Sequence, residues 1–389
     1  MTTNTFPGWL QFQANSRSKV VAVRHKHLGI WHEKSWGELH HDLLGLVVLL
    51  QQKGFQKGDT LYCISHPRLE ALLLSIAAQW LGGVAAPLNP DDVSLPSLID
   101  ELKPDYVFAE GQKQVDLLNS VGLSPELLVY ADYRGLSGNG QTALVSYATY
   151  AGAAIVGQIE PPVAIPMDSA FLFHRYDTQG LLQVQKLSHD QMLEHGRKLV
   201  KQERINADEE ALAARTFAAS GHVRYLLAPW LIAGFKLNFP ENIDTRDIDR
   251  RELGPTLVAG TSETYQRLES LIKSRLPLPD SFLRKIYDWA LSTGKRSSFS
   301  RAFGYFLIVK PLRDVIGFSR IRIPLLVGEA LPESSFIFFQ TLGIEVRNWP
   351  EIVEWQKLDG DEVRNKLIEP GNNKGQQYLT LNERAGVTV

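Results

Sequence analysis

Residues 60–90 read TLYCISHPRLEALLLSIAAQWLGGVAAPLNP, and this stretch decides the fold. The short β-rich run Thr60-Leu61-Tyr62-Cys63-Ile64 follows the turn Lys57-Gly58-Asp59 and reads as a buried strand. The longer apolar run from Arg68 to Leu81 reads as a helix, stopped by Gly82-Gly83. Val84-Ala85-Ala86-Pro87-Leu88-Asn89-Pro90 then supplies a second strand and a turn. Helices alternating with short, fully apolar strands predict an α/β fold whose layered sheets are mostly parallel and flanked by helices.

The same alternation extends in both directions. Upstream, Ser35-Trp36-Gly37-Glu38 is a capping box, and Leu39, Leu43, Leu46, Val47 and Leu50 recur at helical spacing, so a helix is expected from about 36 to 53. Downstream, a helix is expected near 94 to 102 and a strand at Tyr106-Val107-Phe108-Ala109. The pattern weakens from Gly111 to Pro166, with Gly-Ser-Asn turns near 135 to 140. This divides the chain into a first α/β subdomain at 1–165, with a variable junction near 111–165, and a second at 166–389, the two interlocking. In the second, Ala170-Phe171-Leu172-Phe173 opens a strand and Ser188-His189-Asp190 caps a helix reaching about Gln202. Thr256-Leu257-Val258-Ala259 and Pro324-Leu325-Leu326-Val327 read as strands. No internal repeat and no low-complexity tract appears.

Across 389 residues the chain is 44% apolar and 22% charged, which places it among globular proteins with a large core. A formal net charge of -2, from 41 basic and 43 acidic residues, carries no electrostatic footprint for nucleic acid. One cysteine, Cys63, excludes an intrachain disulfide framework and reads as a small buried hydrophobe. The opening residues carry neither a basic nor an apolar signal region, so a cytoplasmic protein is expected. The longest apolar stretch, Leu72 to Leu88, is broken by Ser75, Gln79, Gly82, Gly83 and Pro87, and no transmembrane segment is expected.

Several blocks in one order resemble the adenylate-forming (AMP-binding) superfamily, and specifically its bacterial long-chain acyl-CoA synthetase branch. Residues 24–31, then Ser35 to Leu39 and Lys57-Gly58-Asp59, resemble the opening strand, first helix and turn of that family. Ala85 to Pro90 looks like its "vPLnP" strand end. Asn238-Phe239-Pro240-Glu241-Asn242, Pro255 to Gly260, Tyr265 to Leu268 and Lys310 to Asp314 are similar to segments of the long-chain branch, as is Gly328-Glu329-Ala330-Leu331-Pro332. The resemblance implies the large N-terminal domain of the adenylate-forming enzymes, which activate a carboxylate with ATP and pass the acyl group to a thiol. With 35 residues after Glu354, the family's separate C-terminal lid is expected to be absent.

That chemistry needs a loop that cradles phosphates, and a cation. The family's loop, Y-T-S-G-T-T-G-x-P-K-G, falls between F-x-F and L-S-H, which survive here as Phe171-Leu172-Phe173 and Leu187-Ser188-His189. Between them only Thr178 and Gly180 keep the pattern, with Leu181 at a variable position, so Thr178 and Gly180 are expected to be vestigial cofactor-binding residues. Asp177 and Val184 replace glycines, and Gln183 replaces the lysine. An anion, a β-branched side chain and a lost positive charge oppose phosphate binding. The segment reads as an ordinary surface loop, or else Arg175 or Lys186 serves as a substitute ligand.

The second core motif, G-Y-G-x-T-E, aligns with Trp349 to Glu354. Glu354 takes the place of the magnesium-coordinating glutamate, a vestigial metal ligand or simply a solvated carboxylate, while Pro350 and Val353 replace the aromatic and the threonine. Gly328, Glu329 and Ala330 are expected to edge a nucleotide and acyl pocket, or to form a tight turn that the fold needs. His25, His27, His32, His40 and His41 are read without a consistent facing and hence as no metal site. The stretch from Arg301 to Arg313, with Phe303, Tyr305 and Phe306, reads as a buried amphipathic helix in preference to a membrane-touching one.

These readings give a catalytically impaired acyl-CoA synthetase-like protein, a non-catalytic module that binds an acyl ligand or a protein partner and needs no cofactor. The alternative is a long-chain fatty acid-CoA ligase type of enzyme with altered or partial activity, and only then are ATP and magnesium expected. A third reading is a scaffold whose old cleft is plugged by Trp349, Pro350 and Tyr176.

Overall fold

The computed structural model describes residues 4–132, 144–154, 159–291, 304–350 and 354–357. The turns expected near 135 to 140, Arg301, Phe303 and Val353 lie outside the described residues.

The chain's first two strands, β1 (Val21–His27) and β2 (Ile30–Ser35), form an antiparallel hairpin. Leu28 and Gly29 join them at φ 48 and 76, the left-handed pair that a tight two-residue turn demands. The hairpin register sets His25 directly opposite His32, with stacked rings 5.4 Å apart, where no common facing was expected. Among the described residues no group of three or more His, Cys, Asp or Glu is arranged to hold a metal. Ser35 then caps the helix Trp36–Gln52: its hydroxyl accepts the Glu38 N–H at 3.3 Å, and Glu38 accepts the Ser35 N–H at 2.7 Å.

One sheet holds β3 (Thr60–Ile64), β4 (Val84–Leu88), β5 (Tyr106–Ala109), β6 (Leu127–Tyr130), β7 (Leu144–Ser146), β8 (Ser169–Tyr176), β9 (Leu182–Ser188) and β15 (Gln356–Lys357). Their order is β15-β9-β8-β4-β3-β5-β6-β7, parallel from β8 to β7. The helix Leu69–Trp80 links β3 to β4, as the opening stretch predicts. The other sheet adds β10 (Glu210–Leu212), β11 (Lys236–Phe239), β12 (Leu257–Gly260), β13 (Ile323–Val327) and β14 (Arg347–Trp349) to the first hairpin, in the order β14-β13-β12-β10-β11-β1-β2.

The expected division at 165/166 does not separate these sheets. β8 and β9 complete the sheet begun at β3, whereas β1 pairs in parallel with β11 across more than half the chain. The interlocking therefore runs deeper than a cut at one junction. Where it is described, 111–165 holds the helix Gln112–Ser120, the strand β6 and the edge strand β7. Strands of three or four residues are too short to leave a periodic signature in sequence.

One apolar core reaches both sheets, taking in Val23 and Leu237 from one and Leu61 and Phe171 from the other. Trp230 stacks on Trp36 at 4.8 Å, and its indole N–H donates to the Ala22 carbonyl at 3.1 Å, tying two helices to β1. The helix Phe6–Arg17 bridges the sheets: Phe6 meets Phe171 edge-on at 5.3 Å, and its N–H donates to the His189 Nδ1 at 3.2 Å. The segment after residue 303 corrects its expectation. Ile308, Val309 and Leu312 are buried, but Phe306 is 62% exposed and Leu307 57%. A π-helical turn at Tyr305–Val309 adds a residue to the turn and rotates these side chains away from the buried stripe.

Candidate functional site

The stretch aligned with the phosphate loop is mostly strand, which corrects its reading as a surface loop. β8 and β9 pair in register, His174 with Val184, Arg175 with Gln183 and Tyr176 with Leu182, so that only residues 177–181 form a turn. Each residue that departs from the family pattern has a local role. The Asp177 carboxylate accepts the N–H of Gln179 at 2.8 Å and of Leu181 at 2.9 Å. Those bonds, with the Leu181 one largest, hold the Asp177 carboxyl below its usual range. Gln183 accepts the Arg175 Nε–H at 3.0 Å. Val184 is buried against Val84, Ala86 and Leu172.

Thr178 and Gly180 sit exposed at the tip of this hairpin, with Gly180 at φ 76. Arg175 lies over the Trp355 ring at 4.2 Å, where the chain returns to add β15 to the edge of β9. Lys186 is exposed on β9, and Glu354 is exposed just before β15. Gly328 follows β13 at φ 91, with its N–H donating to the Trp349 carbonyl of β14 at 3.3 Å. Glu329 and Ala330 follow it at the surface, where the Ala330 carbonyl accepts the Ser262 hydroxyl at 3.4 Å.

A cleft of about 250 Å³ opens where β4, β10 and β12 end. Carboxyl ends of parallel strands are the usual ligand crevice of open α/β sheets. Its walls are Pro87, Leu88, Leu95 and Leu98 on one side and Ala218, Ala219 and His222 on the other, with His174 of β8 beside them. His222 is buried, and burial followed by the Arg215 charge pushes its pKa down to about 4, so it is neutral near pH 7. A second cavity, of about 140 Å³, adjoins this cleft through Asn89 and Arg215. Neither is lined by Thr178, Gly180, Gly328, Glu329, Ala330 or Glu354.

Nor do the expected plugs fill the cleft. The Tyr176 hydroxyl donates to Glu101 at 2.8 Å, and the Trp349 indole donates to Glu203 at 3.0 Å. The Pro350 carbonyl accepts the Tyr225 hydroxyl at 3.1 Å. His222 and Arg215 escaped the sequence reading because each stands alone in its local pattern.

The profile of AMP-binding enzymes matches residues 10–354. The chain belongs to the AMP-binding enzyme family. Three solved structures illustrate the likeness. Apo MatB from Rhodopseudomonas palustris superimposes with a TM-score of 0.63 at 18% identity, over 92% of this chain and 62% of that one. The adenylation domain of a carboxylate reductase from Mycobacterium chelonae gives 0.66 at 14%, over 88% and 57%. A protein described as a long-chain-fatty-acid CoA ligase of Rhodopseudomonas palustris gives 0.61 at 14%, over 90% and 75%. At such identities the likeness is one of fold, and it agrees with the N-terminal domain of adenylate-forming enzymes. This AMP-binding family chain thus spans under two thirds of the length of the first of these. No curated protein matches the sequence. Among the described residues no helix is long and apolar enough to cross a membrane.

Proposed function

We propose that this acyl-CoA synthetase-like chain is catalytically impaired and works as a non-catalytic module that holds an acyl group or a protein partner. The observation that carries this reading is the turn at Asp177. A phosphate cradle works by offering free backbone N–H groups to an anion. Here two such groups are already bonded to the chain's own carboxylate, which also repels a second anion. The residues present therefore do not fit a triphosphate: no lysine stands at 183, and Arg175 is engaged by Gln183 and Trp355. Glu354 is exposed, and among the described residues it belongs to no group of three or more His, Cys, Asp or Glu that could hold a metal, so it does not make a magnesium site by itself.

What remains is a cleft whose Pro87, Leu88, Leu95 and Leu98 side is apolar, faced by a neutral histidine and by polar residues such as Asp92 and Arg215, and that apolar side suits an acyl chain held by burial. The segments at 238–242 and 255–260 favour a long-chain ligand, and a cytoplasmic location belongs to the same reading. The test is pyrophosphate release from ATP and magnesium by the purified protein, with fatty acids from acetate to palmitate. Release indistinguishable from a buffer blank supports the proposal. Acid-dependent release overturns it in favour of a ligase with altered activity.

A further inference from the structure

The cavity of about 140 Å³ at the carboxyl ends of β10 and β12 is ringed by Arg215, Arg246, Arg250 and Arg267. Arg250 is the unusual member. It is 2% exposed, on the inner face of the helix Arg246–Leu253. Its Nη2 pairs with Asp247, while its Nη1 is enclosed with no hydrogen-bond partner. Buried donors are rarely left open, and a buried charge far more rarely still.

The other three arginines leave that demand unmet. Arg267 takes the second oxygen of the same Asp247. Arg215 donates to the Thr261 hydroxyl at 2.7 Å and to Glu263 at 3.0 Å. Arg246 is half-buried and has neither hydrogen bond nor ion pair among the described residues. Asp91 also lines the cavity, but it already faces His66 at 3.0 Å and Lys113 at 3.8 Å. Four guanidinium groups thus meet three carboxylates, Asp247, Glu263 and Asp91, so positive charge stays in excess. Burial, and next the Arg267 charge, holds the Arg246 guanidinium below its usual value.

We propose that this cavity binds a phosphate or phosphate-monoester group, with Arg250 Nη1 and Arg246 as its principal donors. The excess of positive charge calls for an anion. Guanidinium forks approaching from several sides suit the tetrahedral oxygens of phosphate. At roughly 30 Å³ per water, the cavity has room for a few waters, or for one phosphate in their place. The site uses nothing from residues 177–181, so it stands whether or not the β8–β9 turn binds ATP.

The test is a titration of the whole chain with inorganic phosphate at constant ionic strength, followed by calorimetry and repeated with acetate. Saturable phosphate binding, with acetate at least about tenfold weaker, is expected. Arg250→Met should abolish the binding. Arg246→Gln should weaken it about tenfold or more, and because that side chain has no hydrogen bond or close ion pair to lose, the variant should fold as the parent does. Asp177→Ala should leave phosphate binding unchanged. No saturable binding at millimolar phosphate, equal binding of acetate, or parental affinity in Arg246→Gln would each overturn the proposal. If Arg250→Met fails to fold, Arg246→Gln decides alone.

Discussion

The Asp177 carboxylate accepts the backbone N–H of Leu181 at 2.9 Å and so closes the β8–β9 turn upon itself. A carboxylate stabilised by backbone donors titrates below its usual range. Its contribution is present above the pKa of the unfolded chain and is lost as pH falls through the lower folded value. Amide exchange at Gln179 and Leu181 should therefore be slow near pH 7 and accelerate beyond its intrinsic trend only in strong acid. Asp177→Ala should show the fast exchange at every pH, with global melting nearly unchanged, as NMR on the two amides and a thermal scan would report.

His222 gives the molecule an acid-sensitive core. Its folded pKa of about 4 lies below the ordinary 6.5, so the unfolded chain binds the proton more readily between those values. Stability should be unaffected above that window and fall as pH drops through it, by on the order of 3 kcal/mol. Buried His189, also at about 4, adds a parallel loss. In urea melts from pH 7.5 to 4.5, His222→Leu should lose less stability than the parent, and a parental slope would contradict the assignment.

Trp230 carries two links at once, the stack on Trp36 and the bond to Ala22. Trp230→Ala should cost about 3 to 5 kcal/mol, measured as a shift of the denaturation midpoint. Trp230→Phe, which keeps the ring contact and loses the N–H donor, should cost less, on the order of 1 to 2 kcal/mol.

Strands buried on both faces were legible because their apolar runs need no partner to be recognised. β3, β4, β5, β12 and β13 stand within a residue or two of their expected places. The capping boxes at Ser35 and Ser188 fixed two helix starts for the same local reason. The antiparallel β9 was not legible, since its apolar residues Leu182, Val184 and Leu187, set among Gln and Lys, keep no two-residue period and acquire meaning only once β8 pairs beside it. The arginines at 215, 246, 250 and 267 were equally silent. They are assembled by the parallel neighbours β10 and β12 and by the helices that follow, and no spacing along the chain announces that.

Val184 tests whether the departures from the family pattern now serve the fold. Restoring the family's glycine, Val184→Gly, removes a side chain packed on Val84, Ala86 and Leu172 and loosens a strand. The variant should lose about 2 kcal/mol or more of stability and gain no affinity for ATP. A stable Val184→Gly variant that binds ATP would mean that the cradle survives behind this one substitution.

The most direct test of the central claim is a calorimetric titration of the purified chain with ATP and magnesium, set beside titrations with free fatty acid and acyl-CoA. The account predicts no saturable heat for ATP and a saturable acyl signal from the cleft walled by Leu88, Leu95 and Leu98. Saturable ATP binding at micromolar affinity would contradict it, because a nucleotide would then be held by a loop whose donors Asp177 already occupies.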